Sequence, residues 1–243
     1  MSNSKLVTYT RLSPNYSSRR GKKIKKITIH HVAGKLTVKQ IGSVFASSSR
    51  QASANYGVDN NGDVGLYVPE QYRAWTSSNR ANDEEAVTIE VANDGGAPNW
   101  HVSKKALDKT IELCVDICKR NDIDRLNYNG KKSGNLTRHN MFAATACPGP
   151  YLQSKFEYIE DEVNKRLMDN YVEKNPTQSY RVKVTVDALN IRQGAGTRYK
   201  KIGAITDRGV YTIVKTKGNW GLLKAGPKVG TSWICLKYTQ KTK

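Results

Sequence analysis

Between residues 24 and 31 the chain reads IKKITIHH, with Ile27 and Ile29 on one side of a two-residue repeat and Thr28 and His30 on the other. The alternation predicts a half-buried β-strand and sends His30 and His31 to opposite faces. Next, LTVKQIGSVFASSS (36–49) sets Val38, Ile41, Val44 and Phe45 at helical spacing behind Thr37, a suitable N-cap, and predicts a short helix. NYGVDNNGDVGLYV (55–68) has Asn-Asn-Gly between apolar alternations, a hairpin signal. AVTIEVAN (86–93) predicts a strand with Val87, Ile89 and Val91 on one face and Thr88 and Glu90 on the other. Two amphipathic helices follow, one from Ser103 to about Arg120 with Leu107, Ile111, Cys114 and Cys118 in its stripe, the other over residues 156–167 with Phe156, Ile159, Val163 and Leu167. Strands alternating with helices predict an α/β domain over residues 1–168, with a central mixed β-sheet flanked by helices.

The pattern then changes. MDNYVEKNPTQS (168–179) is polar, contains Pro176 and keeps no period, so residues 169–179 are expected to be a linker. From Tyr180 onward the runs RVKVTV, LNIR, VYTIV, WGLLK and SWICLKY are broken by QGAGT, DRG, KGN and AGPKVG, a spacing that predicts a small all-β barrel over residues 180–243.

Charge adds a partner class. The 243 residues carry 40 Lys and Arg against 21 Asp and Glu, a formal net charge of +19. Residues 180–243 hold 14 of those cations and only 2 of the acids, so this segment is the expected anchor to a polyanion: nucleic acid, an anionic membrane surface or an anionic cell wall. With 37% hydrophobic residues and no apolar run near the roughly 18 to 20 residues of a bilayer span, a membrane-embedded chain is not expected. The first residues are basic without an apolar core, so no secretory signal is predicted and synthesis is expected in the cytoplasm. Four scattered cysteines do not read as a disulfide framework.

The sharpest chemical constellation is Arg138-His139 followed by Thr145-Ala146-Cys147-Pro148-Gly149, a His and a Cys eight apart ahead of a Pro-Gly that ends any helix. With His30 they form three potential zinc ligands from separate segments, the number a catalytic zinc site takes while keeping a fourth position open. The residues alone leave a second reading open, in which His139 packs locally and Cys147 is a small buried hydrophobe.

TIHHVAG, NYGVDNNGDVGLYV, AVTIEVAND and TRHNMFAATACPG, in this order, resemble the zinc-dependent N-acetylmuramoyl-L-alanine amidases, the type 2 amidases related to peptidoglycan recognition proteins, over residues 20–167. The resemblance implies zinc bound by His30, His139 and Cys147, Glu90 as general base and Thr145 as a donor to the oxyanion. A neutral hydroxyl there stabilises an oxyanion less than an ammonium would. It implies a substrate groove lined by Trp75 and Asn79 in AWTSSN, with Ser77 and Ser78 beside them and Tyr56 as a wall. His31 is expected in the core or beside the ligands, His101 on the surface, and Cys114 and Cys118 in helix packing.

Val186 to Thr197, with LNIRQGAGT at its heart, followed by Asn219-Trp220 and Ser232-Trp233, resembles bacterial SH3 (SH3b) domains, which commonly bind peptidoglycan. Trp220 and Trp233 are the candidate wall contacts, with Tyr199 and Tyr211 beside them; anionic wall polymers are a further partner that the charge suggests. Together the resemblances imply a peptidoglycan hydrolase, a phage or prophage endolysin or a host autolysin, cleaving N-acetylmuramic acid from L-alanine with Zn2+. Two rivals come from other classes. A non-catalytic recognition module usually lacks the Cys ligand that Cys147 supplies, and a nucleic-acid binder leaves the His, Cys and Glu constellation unexplained. A zinc deaminase does not fit, since no His-x-Glu with a later Cys-x-x-Cys occurs.

Overall fold

The computed structural model describes residues 2–174 and 179–242. The chain divides into two compact units, Met1–Val163 and Asn164–Lys243. The first contains β1 (Tyr9–Thr10), β2 (Tyr16–Ser17), β3 (Lys26–His31), α1 (Val38–Phe45), β4 (Tyr56–Val58), β5 (Val64–Leu66), β6 (Arg73–Ala74), α2 (Arg80–Glu85), β7 (Ala86–Val91), α3 (Lys104–Arg120), β8 (Leu136–Arg138) and α4 (Pro150–Ser154), and the division falls within α5 (Phe156–Lys174). Six strands make one sheet in the order β1-β5-β4-β7-β3-β8. Only the β4–β5 hairpin is antiparallel, so the sheet is mixed, as the alternation of strands and helices predicted.

Local chemistry explains the helix starts. Thr37 accepts a hydrogen bond from the Gln40 backbone N–H while the Gln40 side chain accepts one from the Thr37 backbone, a reciprocal box that stabilises α1 by about 1 kcal/mol. Ser103 caps α3 by accepting from the Ala106 N–H. The apolar stripe of α3, including Ile111, Cys114 and Cys118, is fully buried, and the helix packs against β7 and β4. In the hairpin, Tyr67 crosses Gly57 and Gly65 to donate to the Val38 carbonyl at 2.8 Å; a Cβ at Gly65 would stand 2.2 Å from its hydroxyl.

One expectation for β3 fails. The strand is buried on both sides from Ile27 to His31, because it lies between β7 and β8 in the middle of the sheet. Its polar positions meet protein instead of water. Thr28 hydrogen-bonds Thr137 on β8 at 2.9 Å and accepts from Asn82 of α2 at 2.9 Å. Alternation along one strand cannot distinguish a wet face from one lined by buried, paired polar groups.

The second unit holds β9 (Tyr180–Val184), β10 (Leu189–Arg192), β11 (Lys201–Ile205), β12 (Val210–Lys217), β13 (Trp220–Leu223), β14 (Trp233–Cys235) and β15 (Thr239–Lys241), all antiparallel in the order β11-β10-β14-β13-β12-β9-β15. Val182, Val184, Leu189, Ile191, Ile205, Ile213, Leu223 and Ile234 form its core. Five strands follow the apolar runs of the sequence. The other two escape that reading because β11 carries Gly203 and β15 is the polar triplet Thr-Gln-Lys.

Within the segment expected as a linker, residues 169–179, α5 continues through residue 174. No Gly or Pro interrupts the sequence between Phe156 and Pro176, so nothing in the backbone chemistry ends the helix at Met168. Residues 175–178 of that segment lie outside the described residues.

Candidate active site

The sheet register builds the site. On the parallel strands β3 and β7, Thr28 pairs with Thr88 and His30 with Glu90. On β8, Thr28 pairs with Thr137 and Ile29 with Arg138, which brings His139, the next residue, alongside His30. One face of three neighbouring central strands therefore carries a row of threonines and, at its C-terminal end, a row of His139, His30 and Glu90. The ends of parallel strands are where open α/β sheets form binding crevices.

Cys147 arrives from the loop before α4. Its sulfur accepts a hydrogen bond from the His31 backbone N–H at 3.3 Å, tying the loop to the end of β3. Gly149, with a φ of +80°, makes this approach possible: a Cβ there would lie 2.9 Å from Trp100 and 3.2 Å from the His31 ring. His30, His139 and Cys147 each aim one ligand atom inward, all within 4.8 Å of one another. The two imidazole rings lie 4.6 Å apart between centroids.

His30 Nε2, His139 Nε2 and Glu90 Oε2 are buried without hydrogen-bond partners. Buried polar atoms are nearly always paired, so two orphaned imidazole nitrogens converging with a thiol, with an orphaned carboxyl oxygen of a residue lining the same groove, mark a place for a ligand. The electrostatics agree. Burial, then the neighbouring His139 and His31, holds His30 well below the usual imidazole value, and burial lowers His139 while Asp83 opposes the shift. Burial pushes Glu90 up to about 8, opposed by the Arg50 charge. Burial and then the Glu90 charge raise the Cys147 thiol. Two neutral imidazoles and a thiol within reach of one point form a donor set suited to zinc, whose charge would offset the cost of ionising the buried thiol.

A groove of about 450 Å³ runs past this cluster, lined by Glu90, His139, Cys147 and Thr145, with Trp75, Trp100, Arg50, Ser53 and Ser78 among its walls. The exposed Thr145 hydroxyl accepts from the Cys147 N–H at 3.2 Å and keeps its own proton for another acceptor. Trp75 is fixed by its indole N–H, which donates to Ser17 at 3.0 Å.

Two of the expected groove residues lie elsewhere. Tyr56 pairs with Ile89, whereas Gly57 pairs with Glu90, so Tyr56 points to the opposite face of the sheet. It is fully buried, donating to Glu70 at 2.7 Å and accepting from the Ser4 N–H at 2.9 Å. Asn79 is committed as the N-cap of α2, accepting from the Asn82 N–H at 3.0 Å, and its neighbour Ser78 lines the groove in its place. Ser77 is buried on Asp83 at 2.6 Å. Conversely, sequence reasoning passed over Arg50 and Trp100. Arg50 ends a Ser-rich turn without any motif; Trp100, at a φ of 52° and edge-on to His31 at 5.4 Å, follows a Gly-Gly loop whose path no local pattern specifies.

In the second unit Trp220 and Trp233 are both half-buried. Trp220 pairs with Cys235 on β14, and Trp233 pairs with Leu222 and Arg192. Tyr211 donates to Asp207 at 2.6 Å, and Tyr199 packs over Gly194.

The family pattern of N-acetylmuramoyl-L-alanine amidases matches residues 20–150. No curated protein sequence matches the chain. Among solved structures, the hydrolase AmiA of Staphylococcus aureus, determined with its ligand, is similar with a TM-score of 0.54 at 15% identity, over 72% of this chain and 87% of that one. PlyL is similar with a TM-score of 0.51 at 16% identity, over 65% and 96%. The catalytic domain of PlyG is similar with a TM-score of 0.51 at 18% identity, over 64% and 92%. These likenesses concern the fold. The family match spans the strands and loops that carry His30, Glu90, His139 and Cys147, and the chain belongs to the N-acetylmuramoyl-L-alanine amidase family.

Proposed function

We propose that the chain is a zinc-dependent peptidoglycan hydrolase that cleaves the amide between the lactyl group of N-acetylmuramic acid and L-alanine of the stem peptide. The observation that carries this reading is the convergence of His30, His139 and Cys147 within 4.8 Å beside the buried carboxyl of Glu90, at the floor of an open groove. His30, His139 and Cys147 would hold the metal. When bound, zinc supplies Lewis acidity, acidifying water and polarising the scissile carbonyl.

The chain's own groups do the rest. Glu90 takes the proton of the attacking water and delivers it to the nitrogen of the leaving L-alanine. The Thr145 hydroxyl donates to the oxygen on which charge develops. Trp75 and Trp100 offer flat faces to the sugar-peptide substrate, and the Arg50 guanidinium gives the groove a cation.

In this reading residues 1–168 act as the amidase domain, and residues 180–243 act as an SH3b-type domain that holds the enzyme on the wall through Trp220, Trp233 and its excess positive charge. Among the described residues no helix is long and apolar enough to cross a membrane. The combination fits an endolysin or autolysin, made in the cytoplasm and acting on the bacterial wall. Mass spectrometry of peptidoglycan fragments released by the zinc-loaded protein tests the bond assignment. Free stem peptides beginning with L-alanine are expected, and fragments with new reducing sugar ends would contradict it.

A further inference from the structure

The second unit contains a groove of about 530 Å³ lined by Asn190, Thr197, Asn219, Trp220, Lys237 and Tyr238, with Arg192 in its wall. Among the described residues no carboxylate lines it. The two acids of residues 180–243 are engaged elsewhere: Asp187 pairs with Arg208 at 2.5 Å, and Asp207 accepts from Tyr211 at 2.6 Å. Arg192 donates twice, to the Thr197 and Tyr199 carbonyls at 2.9 Å, so its guanidinium holds the groove wall. Among the described residues the Asn190 and Asn219 amides, the Trp220 indole N–H and the Lys237 ammonium have no protein partner, and Tyr238 is 49% exposed. The groove thus combines two aromatic rings, two free side-chain amides and two cations that no carboxylate neutralises, the Lys237 ammonium being free and the Arg192 guanidinium held by carbonyls.

We propose that this groove binds a sugar-bearing polyol-phosphate polymer of the bacterial wall. The inference rests on the wall-directed reading above and gives its second unit a ligand class and a site. A sugar ring lies against Trp220 and Tyr238, Asn190 and Asn219 bond its hydroxyls, and the compact Lys237 charge takes the phosphodiester. A neutral peptide would use the rings and amides but leave Lys237 without a counter-charge. The excess of 14 cations over 2 acids across residues 180–243 draws such a polyanion in.

The test measures binding of the full chain to a purified glycosylated polyol-phosphate polymer, to the same polymer stripped of its sugars, and to a soluble neutral muropeptide. Lys237→Gln and Tyr238→Ala are expected to weaken binding of the glycosylated polymer about tenfold. Lys200→Gln, an exposed site outside the groove with the same change in charge, is expected to weaken it less than about twofold. Stripping the sugar should erase the Tyr238→Ala effect and keep that of Lys237→Gln. Equal losses for Lys237→Gln and Lys200→Gln, or muropeptide binding that Lys237→Gln and Tyr238→Ala weaken as much as polymer binding, would overturn the proposal. Muropeptide hydrolysis by the same three variants is expected to be unchanged. A wild type that binds the polymer but hydrolyses nothing would remove the amidase reading and leave this site standing.

Discussion

His30 of β3 and Glu90 of β7 are lateral partners on adjacent parallel strands, so their side chains leave the same face of the sheet at the same level. The strand pairing therefore fixes the spacing between a proposed metal ligand and the proposed base, with no loop between them. Glu90→Gln keeps the shape of that pair and removes the proton shuttle. It is expected to lower kcat about 10²- to 10⁴-fold while zinc content, measured by atomic emission, stays at the wild-type level.

Cys147→Ser removes the soft ligand, leaving His30 and His139. Zinc retention after gel filtration should fall from one equivalent towards zero. The wild type should also lose thermal stability on treatment with a chelator, because a ligand that binds only the folded state stabilises it by mass action. The variant should show no such loss.

Metal-free protein gives a pH prediction with a definite sign. Burial raises Glu90 to about 8, so the folded state keeps its proton through a range where the unfolded chain, at about 4.5, has lost it. Stability from this group is present below about pH 4.5 and is lost as pH rises through about 8. In the metal-free form, Glu90→Gln should therefore gain stability relative to wild type as pH rises from 5 to 8, by on the order of a few kcal/mol. Urea denaturation at the two pH values measures the gap. A gap that narrows with rising pH would contradict the burial argument.

Arg50 lines the groove with an exposed guanidinium and exerts its charge on Glu90. Arg50→Gln is expected to raise KM for an anionic muropeptide about tenfold, with a smaller effect on kcat. Steady-state kinetics at low and high salt checks this, since the difference between the proteins should shrink as salt screens the charge.

Tyr56→Phe separates structure from catalysis. The substitution leaves buried Glu70 without one of its donors, Arg120 and Asn121 remaining, and leaves the Ser4 N–H without an acceptor. It should cost about 1 to 3 kcal/mol of stability and leave kcat and KM unchanged.

Much of this was legible in the sequence, for identifiable reasons. The strands bearing His30 and Glu90 announce themselves because their neighbours Ile27, Ile29, Val87 and Ile89 alternate strictly. The ends of α1 and α3 are legible because Thr37 and Ser103 are local capping signals. The residue types of Asn79 and Tyr56 suit a groove, but their directions depend on a helix cap and on register against β7, which no local pattern carries. Arg50 and Trp100 were invisible because each reaches the groove through loop geometry, a three-residue turn in one case and a left-handed residue in the other. α5 runs beyond its apolar stripe because its polar last turns contain no helix breaker before Pro176.

The most direct test of the central claim is release of new L-alanine amino termini from purified Gram-positive cell walls, compared among wild type, Glu90→Gln, Cys147→Ser and chelator-treated protein. The account predicts release by the wild type, near-complete loss in the other three, and recovery of the chelated protein when zinc is returned. Walls that bind the wild type without yielding L-alanine termini would contradict it, as would undiminished release by Glu90→Gln.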